Sequence, residues 1–260
     1  LPVGIDVPDW STLRSLALRW DEASQPELVE KGLSLPGLTG LRRVAGLQEP
    51  AVAFLGGGPP RPPIEELEFE VGRGAWESSP EALEARAAIS TGAGLPGLRR
   101  LGVEGPLGGL DWLLDSRLVQ GLTRLTLRGW EWPLGALVRE VADRELPLAE
   151  LACAERLSRG RGCWEFVLRR DSQGRWTRLE ARGDKTVPEA PTFFKTLRSL
   201  PEGALTWLRV PPHDACNWSE PELAAAEVAL GRFPDAEIEV PWRRVRKVRF
   251  SGAPLTLSLS

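Results

Sequence analysis

The sequence has no methionine and no tyrosine, one histidine and three cysteines among its 260 residues. Three cysteines cannot form a closed disulfide framework, so we expect a reducing, cytoplasmic environment. A single histidine leaves most general acid–base catalysis to carboxylates, and the carboxylates have the spacing of solvated faces. No apolar run approaches the ~18 residues of a membrane-spanning helix, and the first residues lack the signal-peptide pattern. The sequence therefore favours a non-catalytic protein that does not enter a membrane.

Lysine is also scarce, with 4 residues against 29 arginines. This bias indicates a bacterial source of high GC content. The formal net charge of -3 argues against a generally basic nucleic-acid-binding protein. With 42% hydrophobic and 27% charged residues, the composition is that of a globular chain rather than a disordered one. Because the chain begins with Leu1 rather than Met, we expect an excised piece, and a structural module of a longer protein is one hypothesis for its role.

Leucine is abundant, with 41 residues. Much of it falls in a recurring pattern, L-x-x-L-x-L, in which other apolar residues also occur. Eight steps cover the 220 residues from position 13 to position 233, a mean of 27.5 residues per step. Each copy predicts a short strand with its leucines directed inward. The copies start at residues 13, 41, 64, 98, 122, 148, 176, 205 and 233.

The segments between the copies have the composition of helices. Two of them begin with a serine and a proline. Ser79 and Pro80 are adjacent, whereas one residue separates Ser219 from Pro221. Serine suits the N-cap, and proline suits the first helical turn. The predicted helices are 26–33, 79–89, 107–119, 134–144, 192–200 and 220–232.

A strand, a turn and a helix repeated every 27 or so residues resembles the leucine-rich-repeat family, closest to its ribonuclease-inhibitor-like subtype. The resemblance covers residues 11–240 and about nine repeats, and it implies an α/β solenoid (a horseshoe) with a parallel concave sheet and convex helices. The Asn or Cys usual after each strand is mostly missing here. The resemblance implies one leucine-rich-repeat domain over residues 1–260. It carries little information on function.

Two regions break the pattern. Residues 164–181 form two alternating runs around Asp171-Ser172-Gln173-Gly174, which predicts a β-hairpin inserted into or beside the parallel sheet. Near the C-terminus, three short β runs at 236–240, 245–250 and 255–259 predict a β-rich cap over residues 236–260. Such a cap would close the open edge of the last repeat.

Two glycine-rich segments resemble nucleotide-binding loops only superficially. Residues 54–63 lack the Lys-Ser or Lys-Thr that a phosphate-binding loop needs after its glycines. Residues 92–97 match G-x-G-x-x-G, but the segment follows a predicted helix and precedes a strand, which reverses the dinucleotide-binding order. We therefore expect a loop and a helix-to-strand turn, and no cofactor.

His213, Asp214 and Cys216 form the one cluster with catalytic residue types. An enzyme with a cysteine nucleophile and a histidine base at 213–216 is an alternative hypothesis. Residues this close on one loop rarely converge in the required geometry, and a zinc site would need four ligands. Cys153 takes an inward strand position in place of leucine, so we expect it in the core. No metal is predicted.

The residues between the inward leucines are expected on the concave face. In the second repeat, Gly46 takes the third inward position and Leu47 is placed on the concave face. The face carries eight arginines and nine carboxylates, grouped in blocks of one sign. Tryptophan and arginine are the residue types enriched at binding hot spots. The candidate partner-binding residues are Glu66, Glu68, Glu70, Arg100, Arg124, Arg128, Arg178, Arg182, Trp207 and Arg209, with Trp130 and Trp132 directly after the fifth strand.

Two interpretations of these charges stay open. Neighbouring repeats could pair Arg with Glu across strands, at roughly 0.2–1 kcal/mol per pair. Alternatively, the face binds a partner, and a protein with complementary patches suits blocks of both signs better than nucleic acid, whose phosphates the acidic block would repel. The sequence predicts a scaffold, inhibitor or immunity-type protein that binds a protein partner.

Overall fold

The computed structural model describes the backbone of residues 10–18, 33, 37–49, 52, 63–71, 80–92, 94–105, 111–128, 134–156, 163–183, 190–201, 205–209, 220–234, 236–239 and 248–249. The protein is of the α/β class, with mostly parallel strands and few helices. The chain divides into two compact units, Leu1–Thr123 and Arg124–Ser260. The single leucine-rich-repeat domain over residues 1–260 stays a prediction.

In the described part of the first unit, four parallel strands lie in chain order. Equivalent positions of successive repeats are opposite one another, as in Leu67 beside Leu101 and Phe69 beside Val103. This register aligns the buried positions of neighbouring strands, so each strand adds to a continuous apolar face. The strands are β1 (Ser15–Ala17), β2 (Arg43–Gln48), β3 (Glu66–Glu70) and β4 (Arg100–Glu104).

The second repeat departs from the predicted alternation. The pairing of β2 with β3 shifts between Val44 and Leu47, because Gly46 adopts a φ of 77° and bulges out of the ladder. Leu47 is consequently fully buried and pairs with Phe69. The prediction that Gly46 takes the third inward position and Leu47 the exposed face is wrong. A Cβ at Gly46 would lie 1.8 Å from the carbonyl oxygen of Leu18, so glycine is required there.

The helices of the first unit are α1 (Pro80–Thr91), α2 (Asp111–Leu114) and α3 (Arg117–Gln120). The first confirms the helix predicted at 79–89. The described part of the helix predicted at 107–119 is instead two short helices. Ser116 separates them, because its side chain accepts the N–H of Val119 at 3.4 Å and caps α3. The helix predicted at 26–33 lies outside the described residues except for Leu33.

Among the described residues of the second unit, seven strands follow one another in chain order. The β5–β6, β8–β9 and β9–β10 pairs are parallel, whereas β7 is antiparallel to both of its neighbours. This confirms the predicted hairpin, whose turn begins at Asp171. The strands are β5 (Arg124–Arg128), β6 (Glu150–Arg156), β7 (Cys163–Arg170), β8 (Trp176–Gly183), β9 (Trp207–Arg209), β10 (Glu237–Glu239) and β11 (Val248–Arg249).

Strands β10 and β11 pair antiparallel. They lie within the first two β runs predicted near the C-terminus. The third run, at 255–259, lies outside the described residues. The predicted cap therefore has one antiparallel pair in the described part of the chain, and its extent over 236–260 stays a prediction.

The helices of the second unit are α4 (Leu134–Asp143), α5 (Ala190–Ser199) and α6 (Glu220–Leu230), close to the predicted 134–144, 192–200 and 220–232. The tight β7–β8 turn adds a strand to the sheet without adding a helix. Helices α4 and α5 approach closely at Gly135, whose N–H donates to the hydroxyl of Ser199 at 3.1 Å. A Cβ on Gly135 would lie 1.8 Å from the carbonyl oxygen of Ser199. Glycine thus permits this helix contact.

The inward positions of the repeats form the core. Leu125, Leu127 and Leu151 are completely buried, and Cys153 is buried in the position predicted for it. Because truncating a buried leucine to alanine costs about 2–5 kcal/mol, these positions fix which face of each strand points inward. The residues between them therefore lie on the opposite face, where the candidate residues were predicted.

Candidate functional site

The strands of the second unit carry charged and aromatic side chains at the positions that alternate with the buried leucines. The hairpin contributes to this set because β7 pairs in register with β6, so that Glu150 is opposite Arg169. We call this set the polar sheet face. Its members with described side chains are Arg124, Arg128, Glu150, Glu165, Arg169, Arg178, Glu180, Trp207 and Arg209.

Arg169 lies at the centre of the polar sheet face. Its guanidinium contacts Glu150 at 2.8 Å and Glu180 at 3.0 Å, on the strands to either side of β7. Desolvation by burial lowers the pKa of Arg169, but the hydrogen bonds and charges of the two glutamates outweigh it and the pKa is raised above its ordinary value. Arg169 is thus a permanent cation that joins three strands.

Two further arginines extend this cluster. Arg124 contacts Glu150 at 3.1 Å and Glu165 at 3.6 Å, and Arg209 contacts Glu180 at 3.3 Å. The resulting chain of alternating charges crosses five strands, from β5 to β9. We call it the Arg–Glu network, and its members are Arg124, Glu150, Glu165, Arg169, Glu180 and Arg209.

Small residues lie beneath the network. The two outward positions of β6 after Glu150 are Ala152 and Ala154, and both are buried. Alanine at these positions leaves room for Arg124 to extend across β6 and contact Glu165 on β7. Glu180 is also almost fully buried, at 9% exposed. A buried carboxylate needs charged or hydrogen-bonding partners, and Arg169 and Arg209 supply them here.

Arg178 and Trp207 form a separate contact on the same face. They are register partners on β8 and β9, and the guanidinium lies 4.6 Å from the centre of the indole ring. Arg178 is also directly opposite Arg169 on β7, which places two like charges side by side. Arg169 turns to the glutamates and Arg178 turns to the indole, so each cation has a favourable partner.

The first unit has its own charged strand positions. Arg43 contacts Glu66 at 3.1 Å and Glu68 at 3.2 Å, and Arg100 contacts Glu66 at 3.4 Å. At the strand ends, Gln48 donates a hydrogen bond to Glu70 at 3.1 Å. Of the two interpretations of the charged face, cross-strand pairing of Arg with Glu is confirmed for both units. The partner-binding interpretation stays a prediction.

A buried ion pair lies elsewhere in the first unit. Glu49, directly after β2, is completely buried and accepts a hydrogen bond from Arg86 of α1 at 2.7 Å. The guanidinium also lies 5.5 Å from the ring centre of Trp112 on α2. This contact joins a strand end to two helices, and no pattern in the sequence predicted it.

The structure brings the predicted residues together in two groups. Glu66, Glu68, Glu70 and Arg100 share the charged face of the first unit, and Arg124, Arg128, Arg178, Trp207 and Arg209 share the polar sheet face. The side chain of Arg182 is not described, although its backbone pairs with Glu165. Trp130 and Trp132 lie outside the described residues.

Sequence reasoning missed Glu165 and Arg169. Both belong to the antiparallel strand, which the leucine pattern does not mark. The signal that could have found them is the position of these two charged residues at the ends of the apolar run Phe166-Val167-Leu168, one residue before Phe166 and one after Leu168. The hairpin had been recognised, but its outward positions were not added to the face.

The alternative catalytic cluster at His213, Asp214 and Cys216 lies outside the described residues and stays a hypothesis. Within the described ranges, no group of three or more His, Cys, Asp or Glu side chains could hold a metal ion. No helix in those ranges is long and apolar enough to cross a membrane. Comparison of the chain with protein-family models, with curated proteins and with solved structures found no match.

Proposed function

We propose that the chain is a leucine-rich-repeat solenoid of the ribonuclease-inhibitor-like type that binds a protein partner through the polar sheet face. Support for the repeat architecture comes from the equivalent register of successive strands and from the leucine spacing. The proposed role is non-catalytic, as in a cytoplasmic scaffold, inhibitor or immunity-type protein.

The observation that carries this proposal is the Arg–Glu network. Its side chains are held in place before any partner arrives, because each arginine is fixed by a glutamate on a neighbouring strand. Binding to ordered side chains avoids an entropic cost of about 0.5–1.5 kcal/mol for each flexible side chain. A surface with fixed charges of both signs also selects partners by complementarity.

The proposal is tested by reversing charges at one end of the polar sheet face. The R124E/R128E variant and the wild-type chain are immobilised at equal density and exposed to extract of the source organism. We expect the wild-type chain to retain one or more proteins that the variant loses. Each protein so retained is then purified, and its affinity for both chains is measured by calorimetry.

The matched control is R198E, which changes the charge of an exposed arginine on α5. It should retain the same proteins as the wild-type chain. Circular dichroism establishes that all three chains are folded at the assay temperature. Equal affinity of a purified partner for wild-type and R124E/R128E chains would overturn the proposal.

A further inference from the structure

Resting on the proposed protein-binding function, we propose that Arg178, held against Trp207, is the anchor for a carboxylate of an acidic segment in the partner. The described side chains of the polar sheet face favour an acidic partner. Its described side chains include five arginines (Arg124, Arg128, Arg169, Arg178 and Arg209) and three glutamates (Glu150, Glu165 and Glu180). Among these described side chains, the arginines outnumber the glutamates by two.

Arg178 differs from the cations of the Arg–Glu network. Within the described part of the chain, its contact is with the indole of Trp207, and no carboxylate lies within the 4.0 Å of an ion pair. Its side chain is exposed. Among the described side chains of the face, Arg178 is therefore an exposed cation with N–H donors that a ligand can reach.

The geometry of the contact favours carboxylate binding. A guanidinium is planar, with its N–H donors in the plane and its π faces above and below. The guanidinium carbon of Arg178 lies over the indole of Trp207, 4.6 Å from the ring centre, so the contact restricts the side chain through the ring and not through an acceptor oxygen. A carboxylate can then accept two parallel N–H bonds at the edge of the guanidinium. Trp207 thus positions Arg178 for bidentate recognition.

The same face disfavours a polyphosphate chain. Glu180 lies two residues along β8 from Arg178, Glu165 lies on the neighbouring strand β7, and Glu150 lies on β6, the next strand beyond it. A nucleic acid presents negative charge at every phosphate and would meet these carboxylates along its length. A protein segment can place one carboxylate at Arg178 and neutral or apolar residues beside the carboxylates and the indole. We therefore assign the site to an acidic protein segment.

The experiment uses a fluorescent 12-residue peptide of Gly and Ser with a single central Glu beside one Leu. Binding to the full chain is measured by fluorescence anisotropy at low salt. Two probes of the same length are compared with it: the peptide with Gln in place of Glu, and a 12-nucleotide oligothymidine. We expect the Glu peptide to bind more tightly than either of the other two.

Three variants locate the binding. R178A should weaken the Glu peptide about tenfold or more, because it removes a bidentate charge-assisted contact. R178K keeps the charge but loses the planar donors, so it should recover only part of the affinity. W207A should weaken binding although the charge is unchanged, which a purely electrostatic role would not predict. The control R198A should bind like the wild-type chain.

Equal binding of the Glu peptide by R178A and wild-type chains would overturn the assignment, as would tighter binding of the oligothymidine. Full affinity in W207A would overturn the positioning role of the indole. Failure here is distinguishable from failure of the proposed function. If R124E/R128E loses its protein partner while the Glu peptide never binds, the protein-binding function stands and the acidic anchor is wrong.

Discussion

Replacing Arg169 with methionine removes the central cation of the Arg–Glu network while keeping an unbranched side chain about as long as the stem of arginine. Complete loss of one partner from a buried ion pair costs about 3–5 kcal/mol. The cost here is smaller, because without Arg169 each glutamate still has an arginine partner: Glu150 pairs with Arg124, and Glu180 pairs with Arg209. Arg169 is also 31% exposed, so solvent screens part of the interaction. We expect R169M to lower the free energy of unfolding by about 2 kcal/mol.

The assay is urea denaturation of the wild-type chain, R169M, E180Q and the double variant R169M/E180Q. The double-mutant cycle isolates the Arg169–Glu180 interaction, and we expect a coupling of about 0.5–1.5 kcal/mol. E140Q is a matched control, because Glu140 pairs with Arg144 on the surface of α4 and has no place in the network. Ordinary surface substitutions change the free energy of unfolding by up to about 0.5 kcal/mol. If R169M lowers it by less than that, Arg169 is not the centre of the network.

Two further predictions concern the scaffold of the second unit. G135A should lower the free energy of unfolding by about 1–3 kcal/mol through overpacking against the backbone of Ser199, although alanine favours helix by about 1 kcal/mol. G97A, whose Cβ would make ordinary contact at 3.7 Å, should be near neutral in the same melt, and equal effects would contradict the close helix contact. The pKa of Asp171 is lowered by backbone hydrogen bonds from Arg175 and Gln173 and by the charge of Arg175. Its stabilisation is therefore present above the unfolded pKa of about 4 and is lost as pH falls through the lower folded value. The melting temperatures of wild-type and D171N chains should differ at about pH 6 and converge as the pH falls below about 4, and a pH-independent difference would contradict this.

The leucine spacing predicted much of the sheet, because burial imposes a period that the sequence must follow. Leu67, Leu101, Leu125, Leu151 and Leu208 are all completely buried or nearly so at the central position of their repeats. Once these positions are fixed, the side chains between them must lie on the other face. The grouping of Arg124, Arg178 and Arg209 on one face followed from that alternation alone.

Where the structure differs from the predicted repeat pattern, the causes are local and do not appear in the spacing of apolar residues. The bulge at Gly46 depends on a left-handed backbone conformation and on the approach of the Leu18 carbonyl. The break between α2 and α3 depends on one capping hydrogen bond, from Val119 to Ser116. Neither changes the average apolar pattern, so counting leucines could not reveal them.

The candidate site was predictable in part. The pairing of Arg169 with two glutamates required knowing that the hairpin lies within the sheet, with β7 between β6 and β8. The sequence predicted the hairpin but left open whether it lay in the sheet or beside it. The contact of Arg178 with Trp207 depends on strand register, because the register places Arg178 beside the like charge of Arg169 on one side and beside Trp207 on the other.

The most direct test of the central claim is site-specific photo-crosslinking from the polar sheet face. A photoreactive amino acid replaces Arg209 in one chain and Arg198 on α5 in a control chain, and both are irradiated in extract of the source organism. We predict a discrete protein adduct at position 209 and none at position 198. Excess unlabelled wild-type chain should abolish the adduct, whereas excess R124E/R128E should not. No adduct at position 209, or equal competition by the two chains, would contradict the assignment of the polar sheet face as a protein-binding surface.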